Sequence, residues 1–197
     1  MAIQINGNGT ITGISVGGLP DGIVDTDMIA ASAVTAAKST GLGMVDRWHL
    51  ETNFNINTAN TNYQINTGWA KSTSAGYNSG SLGSAMTQSS GVFTFPSTGI
   101  YYIIYDCITG TSNDQLNMWS YIAVGADGTA TNYLSVKASS GDSGTMNSVT
   151  GSALLDVTDT STQKINVRAY HSANGSYVSS NSNGQRTTLT FIRLGDT

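Results

Sequence analysis

Two stretches of this chain are apolar on both faces of a predicted strand, and they constrain the fold more than any other feature. Residues 100–108 read Ile-Tyr-Tyr-Ile-Ile-Tyr-Asp-Cys-Ile, and residues 116–124 read Leu-Asn-Met-Trp-Ser-Tyr-Ile-Ala-Val. Successive side chains of a strand point to opposite faces of its sheet. A strand with one solvated face would therefore alternate apolar and polar residues. These two stretches predict strands with one face in a core and a second face covered by something else, most simply another copy of the chain.

Shorter alternating stretches predict more strands, and Gly- and Asn-rich turns separate them. The clearest is 164–170, where Ile165, Val167 and Ala169 alternate with polar residues. Many short strands with such turns are typical of an antiparallel sandwich or barrel. We therefore predict an all-β fold of roughly eight to ten strands. The remaining predicted strands are residues 53–56, 64–69, 83–87, 91–95, 132–138, 153–157 and 187–194.

The composition argues against nucleic-acid and membrane partners. Charged residues make up 10% of the 197 residues, the net charge is −4, and only eight residues are Lys or Arg. Binding a phosphate backbone needs clustered Lys and Arg. No run of about 18 apolar residues predicts a transmembrane helix. The N-terminus lacks the basic and apolar regions of a signal peptide, so we do not expect secretion by that route.

Residues with catalytic or metal-binding potential are few and scattered. Glu51 is the single glutamate, whereas cleavage of a glycan needs a pair of carboxylates across a cleft. No Gly-x-Ser-x-Gly elbow flanked by a predicted strand and a predicted helix is present, and no phosphate-binding Gly-x-x-x-x-Gly-Lys loop is present either. His49 and His171 are far apart, and Cys107 lies in an apolar run that predicts a small buried side chain. We therefore expect no enzyme, no catalytic residue and no metal site.

Two motifs resemble those of complement C1q-like domains. Residues 91–105, Gly-Val-Phe-Thr-Phe-Pro-Ser-Thr-Gly-Ile-Tyr-Tyr-Ile-Ile-Tyr, are similar to the family's signature, and residues 151–167 resemble its penultimate hairpin, with Thr162-Gln163 in place of the usual Gly-Asp. The resemblance covers roughly residues 48–194. It implies a jelly-roll sandwich of the tumour-necrosis-factor type that assembles as a tight trimer. Some C1q-like domains bind calcium in loops, so calcium is the one cofactor left open, with loop aspartates such as Asp127 and Asp142 as candidate ligands.

A trimer would cover the second apolar face of the central strands. The candidates for its interface are Tyr101, Ile103, Tyr105, Trp119 and Tyr121. In that assignment Tyr102, Ile104 and Ile108 point into the sandwich. The reverse assignment of the two faces of residues 100–108 stays open.

The first 43 residues contain no aromatic side chain and form a segment distinct from the predicted jelly roll at 44–197. A helix is predicted over 25–38, with Asp25 or Asp27 at its start. The runs Asn-Gly-Asn-Gly-Thr-Ile-Thr-Gly-Ile and Leu-Pro-Asp-Gly-Ile-Val-Asp-Thr-Asp-Met-Ile resemble the opening of bacteriophage tail-fibre and appendage proteins. The resemblance implies attachment to a virion through this segment. The candidate attachment residues are Ile3, Ile5, Ile11, Ile14 and Val16.

Three polar segments, 71–90, 139–150 and 171–186, are predicted to be loops at the ends of the sandwich. Loops carry binding residues more often than strands do, and Tyr among Ser, Gly and Asn is typical of adaptable binding surfaces. The candidate ligand-binding residues are Tyr77, Tyr133, His171 and Tyr177.

Together these features predict a structural protein at the surface of a bacteriophage particle. The first hypothesis is a short homotrimeric fibre or spike that contacts other virion proteins through its N-terminal segment and a host glycan or protein through its head. The second is a trimeric capsid decoration protein that stabilises the head. The third is a lectin-like module unrelated to a virus.

Overall fold

The described part of the chain is all-β. Contacts divide the chain into two compact units, Met1–Ser39 and Thr40–Thr197. In the first unit β1 (Gln4–Ile5) pairs antiparallel with β2 (Ile11–Thr12). The helix predicted over 25–38 lies outside the described residues. The computed structural model describes residues 4–5, 11–12, 42–71, 81–125, 132–181 and 186–197.

The second unit is a sandwich of two antiparallel sheets, as the sequence predicted. The first sheet has the order β4-β15-β10-β16-β3-β6, with β13 also paired to β10 and β7 to β3. Its strands are β3 (Met44–Leu50), β4 (Phe54–Ile56), β6 (Trp69–Ala70), β7 (Leu82–Gly83), β10 (Gly99–Thr111), β13 (Met146–Val157), β15 (Ser176–Val178) and β16 (Thr188–Gly195).

The second sheet has the order β12-β11-β14-β9-β8, and β5 also pairs with β14. Consecutive strands often lie in opposite sheets, so the connections cross between the two layers, as in a jelly roll. Its strands are β5 (Thr61–Gln64), β8 (Thr87–Ser89), β9 (Val92–Thr94), β11 (Gln115–Gly125), β12 (Asn132–Gly141) and β14 (Lys164–His171).

Aromatic rings join the two sheets at the centre of the sandwich. The ring of Phe93 on β9 lies 5.5 Å from the rings of Trp48, Trp69 and Phe191, all three on the first sheet. Phe95 follows β9 and lies 4.5 Å from the ring of Tyr101. Tilted and edge-to-face ring pairs at these distances stabilise a core beyond the area that they bury.

The orientation of β10 reverses the one assigned from the sequence. Tyr101, Ile103 and Tyr105 are almost completely buried in the core, so their side chains cannot form an outward trimer interface. The alternate residues Tyr102 and Ile104 face outward instead. Both faces of this strand are apolar, so the alternation alone could not distinguish them. The ring of Phe95 distinguishes the two faces, because Tyr101 fills the space beside it.

The predicted strands match the structure best where the apolar pattern is strong. The predictions for 100–108, 116–124 and 164–170 are confirmed by β10, β11 and β14. The strand predicted over 64–69 is wrong, since most of that stretch connects β5 to β6. The strand β3 was not predicted. The loop predicted at 139–150 is also wrong apart from the turn 142–145, because cross-strand pairing extends β12 and β13 through polar residues.

A tight hairpin between β8 and β9 requires a glycine. Ser90 and Gly91 have φ values of 50° and 75°, as in a type I′ turn. A Cβ atom added to Gly91 would lie 2.2 Å from the carbonyl oxygen of Ile65. The turn thus brings two backbone segments closer than any side chain at residue 91 allows.

The Gly91→Ala variant should be strongly destabilised. Positive φ and the collision with a backbone carbonyl act together, so we expect a loss of about 3 kcal/mol or more in unfolding free energy. Gly144→Ala is the matched control, because Gly144 has a φ of 77° and no atom of the described residues lies within 4 Å of an added Cβ. Urea denaturation measures both variants. Equal losses in the two would contradict the role assigned to the close backbone approach.

Candidate assembly and binding surfaces

A row of four apolar side chains crosses the outward face of the first sheet. Val45 on β3 lies opposite Ile192 on β16, Ile192 opposite Tyr102 on β10, and Tyr102 opposite Leu154 on β13. Leu154 is 64% exposed and Tyr102 is 36% exposed. We call these four residues the apolar row. An outward sheet face normally carries polar side chains, so this row is the strongest sign of a partner on this sheet.

The same face becomes polar two rows along the strands. The carboxylate of Asp106 accepts hydrogen bonds from the hydroxyls of Thr150, at 2.8 Å, and Thr188, at 3.4 Å. The guanidinium of Arg47 donates to the same Thr188 hydroxyl at 3.4 Å. The face therefore has an apolar end and a hydrogen-bonded polar end. Such an asymmetric surface can specify the register of a partner as well as attract it.

The other two predicted interface residues lie on the second sheet. Trp119 and Tyr121 alternate along the outward face of β11, where Trp119 is 38% exposed and Tyr121 is 3% exposed. The five predicted interface residues are therefore not on one surface: three are in the core and two are on the sheet opposite the apolar row. Their assignment to a shared interface is not supported by this arrangement.

Two stacked aromatic pairs cover the outward face of β11. The ring of Trp119 stacks on Tyr170 of β14 with 4.9 Å between centroids, and the ring of Tyr121 stacks on Tyr133 of β12 at the same distance. Burial, together with the neighbouring Tyr133 and Tyr170, raises the pKa of Tyr121 to about 12. The group of Trp119, Tyr121, Tyr133 and Tyr170 is called the aromatic platform below.

The structure places the four predicted ligand-binding residues in different surroundings. Tyr133 is 47% exposed and belongs to the aromatic platform, on a strand and not in a loop. Tyr177 lies on β15, where its ring lies against Gly110 so closely that a Cβ added there would be 2.3 Å from the ring. His171 is the last residue of β14 and is completely buried, so its prediction as an accessible ligand-binding residue is wrong. Tyr77 lies outside the described residues.

His171 is buried, and neither of its ring nitrogens has a hydrogen-bond partner among the described residues. Its strand neighbours are Met118 and Thr61. Burial lowers the pKa of His171 from 6.5 to about 4, because the charged imidazolium would lose its hydration. His171 therefore stays neutral at physiological pH.

Cys107 is a buried structural side chain, as its sequence context predicted. It is completely buried, and the hydroxyl of Ser120 lies 3.5 Å from its sulfur atom. Burial raises the pKa of its thiol, which disfavours the reactive thiolate.

In the described stretches, no three His, Cys, Asp or Glu side chains come together as a metal site would require. Asp159 is used locally: it accepts hydrogen bonds from the backbone amide and hydroxyl of Ser161 and the hydroxyl of Thr162, which lower its pKa. Asp127 lies outside the described residues, and calcium binding by loops stays a prediction.

Among the described residues, no helix is long and apolar enough to cross a membrane.

Similarity to known proteins is visible in the fold and not in the sequence. No protein-family model and no curated protein sequence matches the chain. Among solved structures, the tumour necrosis factor Eiger from S. frugiperda aligns with a TM-score of 0.54 at 13% identity, covering 80% of this chain and 95% of that one. Murine APRIL at pH 8.0 aligns with a TM-score of 0.52 at 14% identity, covering 77% and 98%. The predicted fold class, a jelly roll of the tumour-necrosis-factor type, is confirmed.

Acidification should destabilise the domain through His171. The folded-state pKa is below the unfolded value, so the unfolded chain binds the proton more readily and stability falls as the pH drops from 6.5 towards 4. The shift corresponds to about 3 kcal/mol. The pH dependence of thermal or urea unfolding measures this loss.

The His171→Leu variant should flatten that pH profile, since it removes the titrating group and an unpaired buried imidazole. His49→Gln is the control: burial also lowers the pKa of His49, but by less, so this variant should keep most of the pH dependence. A His171→Leu profile parallel to that of the unchanged protein would contradict the assignment.

Proposed function

We propose that this chain is a structural protein of a bacteriophage virion, a short homotrimeric fibre or spike whose jelly-roll head faces outward and contacts the host. Its task is to present a surface, and no catalytic step is part of the proposal. The N-terminal segment attaches the trimer to other virion proteins.

The apolar row is the observation that most strongly supports a trimer. Leu154 and Tyr102 leave much of their apolar surface in water in a single chain, next to Ile192 and Val45 on the same face. Burying that surface against other copies would stabilise the assembly by about 25 cal/mol for each Å² removed from water. The first sheet is therefore the face that we place around the threefold axis.

The sequence resemblances support both the threefold symmetry and the virion. Residues 91–105 resemble the C1q-like signature, which implies a trimer, and this signature spans the β9–β10 connection that builds the core. The N-terminal segment resembles phage appendage proteins. Of the candidate attachment residues, Ile5 and Ile11 lie opposite each other in the β1–β2 pair; Ile3, Ile14 and Val16 lie outside the described residues.

A trimeric capsid decoration protein that stabilises the head is the alternative. The apolar row suits it as well, because a decoration protein also needs a trimeric head, placed over neighbouring capsid subunits.

The Leu154→Glu variant should convert the trimer into a monomer. It places three carboxylates around the threefold axis, where they repel one another and lose hydration. Light scattering coupled to size-exclusion chromatography measures the mass. Val136→Glu is the matched control, because Val136 is 49% exposed on the second sheet and should leave the trimer intact. A monomeric unchanged protein, or a trimeric Leu154→Glu variant, would contradict the proposed interface.

Deleting residues 1–43 should abolish attachment to the particle and leave a trimeric head. Electron microscopy of particles with the tagged protein measures its location. Density at the tail or at one vertex supports the appendage, and copies spread over the shell would establish the decoration protein instead. A truncated head that still binds particles would show that the attachment segment is assigned wrongly.

A further inference from the structure

The outward face of the second sheet has a chemistry different from that of the first. Four cross-strand neighbours form one row: Ala138 on β12, Trp119 on β11, Tyr170 on β14 and Asn62 on β5. The next row contains Val136, Tyr121, Arg168 and Gln64 in the same strand order. Aromatic and small apolar side chains therefore occupy the half formed by β12 and β11, whereas the half formed by β14 and β5 carries Tyr170, Arg168 and two amides.

Hydrogen bonds hold the aromatic platform in place. The hydroxyl of Tyr170 donates to the side-chain oxygen of Asn60 at 2.7 Å, and the hydroxyl of Tyr121 donates to that of Asn62 at 2.6 Å. Tyr121 and Tyr170 are thus each held by a stacked ring and by an amide. A rigid aromatic surface loses little conformational entropy when a ligand binds it.

The charge of this sheet sets it apart from the chain as a whole. Its six strands contain no Asp or Glu, although the chain has a net charge of −4. Lys164 and Arg168 alternate with Asn166 and Tyr170 along the outward face of β14, and Arg168 lies beside Tyr121. The outward face of β14 therefore carries two cations and no carboxylate among its strand residues, which favours a ligand with negative charge.

We infer that the aromatic platform binds an acidic glycan, an oligosaccharide that carries a carboxylate. The exposed parts of Trp119 and Tyr133 would lie against the apolar C–H faces of sugar rings, and the amides of Asn60, Asn62 and Gln64 would lie near sugar hydroxyls. Lys164 and Arg168 provide the charge that a sugar carboxylate needs. A nucleic acid fits less well, because its phosphate backbone needs more cations than this face carries.

This inference deepens the proposed function, since it assigns the host contact of the head to one surface and one chemical class. The aromatic platform lies on the second sheet, whereas the apolar row lies on the first. Binding and assembly can therefore fail independently, and the same purified full-length chain tests both.

The experiment is a glycan array that pairs each sialylated or uronic-acid oligosaccharide with its neutral counterpart, followed by calorimetric titration of the best binder. We expect binding to the acidic members and a weaker signal from the neutral ones, with affinity falling as salt rises. No binding to any glycan would overturn the inference. Equal binding of acidic and neutral partners would overturn the role of the charges.

Substitutions test the contributions of aromatic stacking and of charge to glycan binding separately. Trp119→Ala and Tyr133→Ala should each weaken binding at least about tenfold, as the loss of an aromatic anchor does, whereas Trp119→Phe should retain most of it. Arg168→Gln should lower affinity for the acidic glycan and leave the neutral counterpart unchanged. Met146→Ala is the control, because Met146 is 51% exposed on the first sheet. Circular dichroism establishes that each variant is folded.

Two results would assign the platform to another partner. Unchanged glycan affinity in folded Trp119→Ala and Tyr133→Ala variants would overturn the inference. A change in oligomer mass in these variants, measured by light scattering, would show that the platform is an interface between copies of the chain. Loss of the trimer in Leu154→Glu with glycan binding to each head retained would support the two separate surfaces.

Discussion

The contact between Phe93 and the aromatic rings of the first sheet is the interaction on which the rest of the structure depends. Phe93 comes from β9, a strand of only three residues that pairs with β8 and β14. Its ring meets Trp48, Trp69 and Phe191, which come from three different strands of the opposite sheet. One side chain thus joins four strands. Because interiors are close-packed, these contacts constrain the spacing of the two layers where the four strands meet.

A buried carboxylate paired with a partly exposed lysine lies at one edge of the same core. The carboxylate of Asp46 is completely buried, with the ammonium of Lys71 at 2.8 Å, and it accepts hydrogen bonds from the indole of Trp48 and the backbone amide of Met86. A buried charge without such partners would be costly. The three partners, Trp48, Lys71 and Met86, come from separate segments of the chain, so the carboxylate of Asp46 fixes where those segments meet.

With the interior occupied in this way, the two outward faces are left for function. The first sheet has an apolar row beside a hydrogen-bonded polar end, a combination that suits a large contact with other copies of the chain. The second has fixed aromatic rings, amides and two cations, a combination that suits a small polar ligand. One sandwich can therefore assemble through one layer and bind through the other, because its rigid core keeps the two surfaces apart.

The candidate surfaces were only partly visible in the sequence. Trp119, Tyr121 and Tyr133 stood out as aromatic residues, but their grouping did not, because it depends on the register of β11 with β12 and β14 and on a shift in pairing between Ile122 and Ala123. The apolar row was missed for the same reason: Val45 and Leu154 are more than a hundred residues apart. His171 looked like a loop residue because a polar stretch follows it, yet β14 extends to include it.

The amino-acid sequence by itself determined the fold class and the central strands, since alternation with a period of two and doubly apolar stretches are local properties. The tertiary structure alone decided which face of β10 is inside. Tyr101 and Tyr102 are chemically identical neighbours, and the packing of Tyr101 against the ring of Phe95 distinguishes them. Once Tyr101 occupies the core, the pleat of the strand places Tyr102 outward beside Leu154, and the apolar row follows.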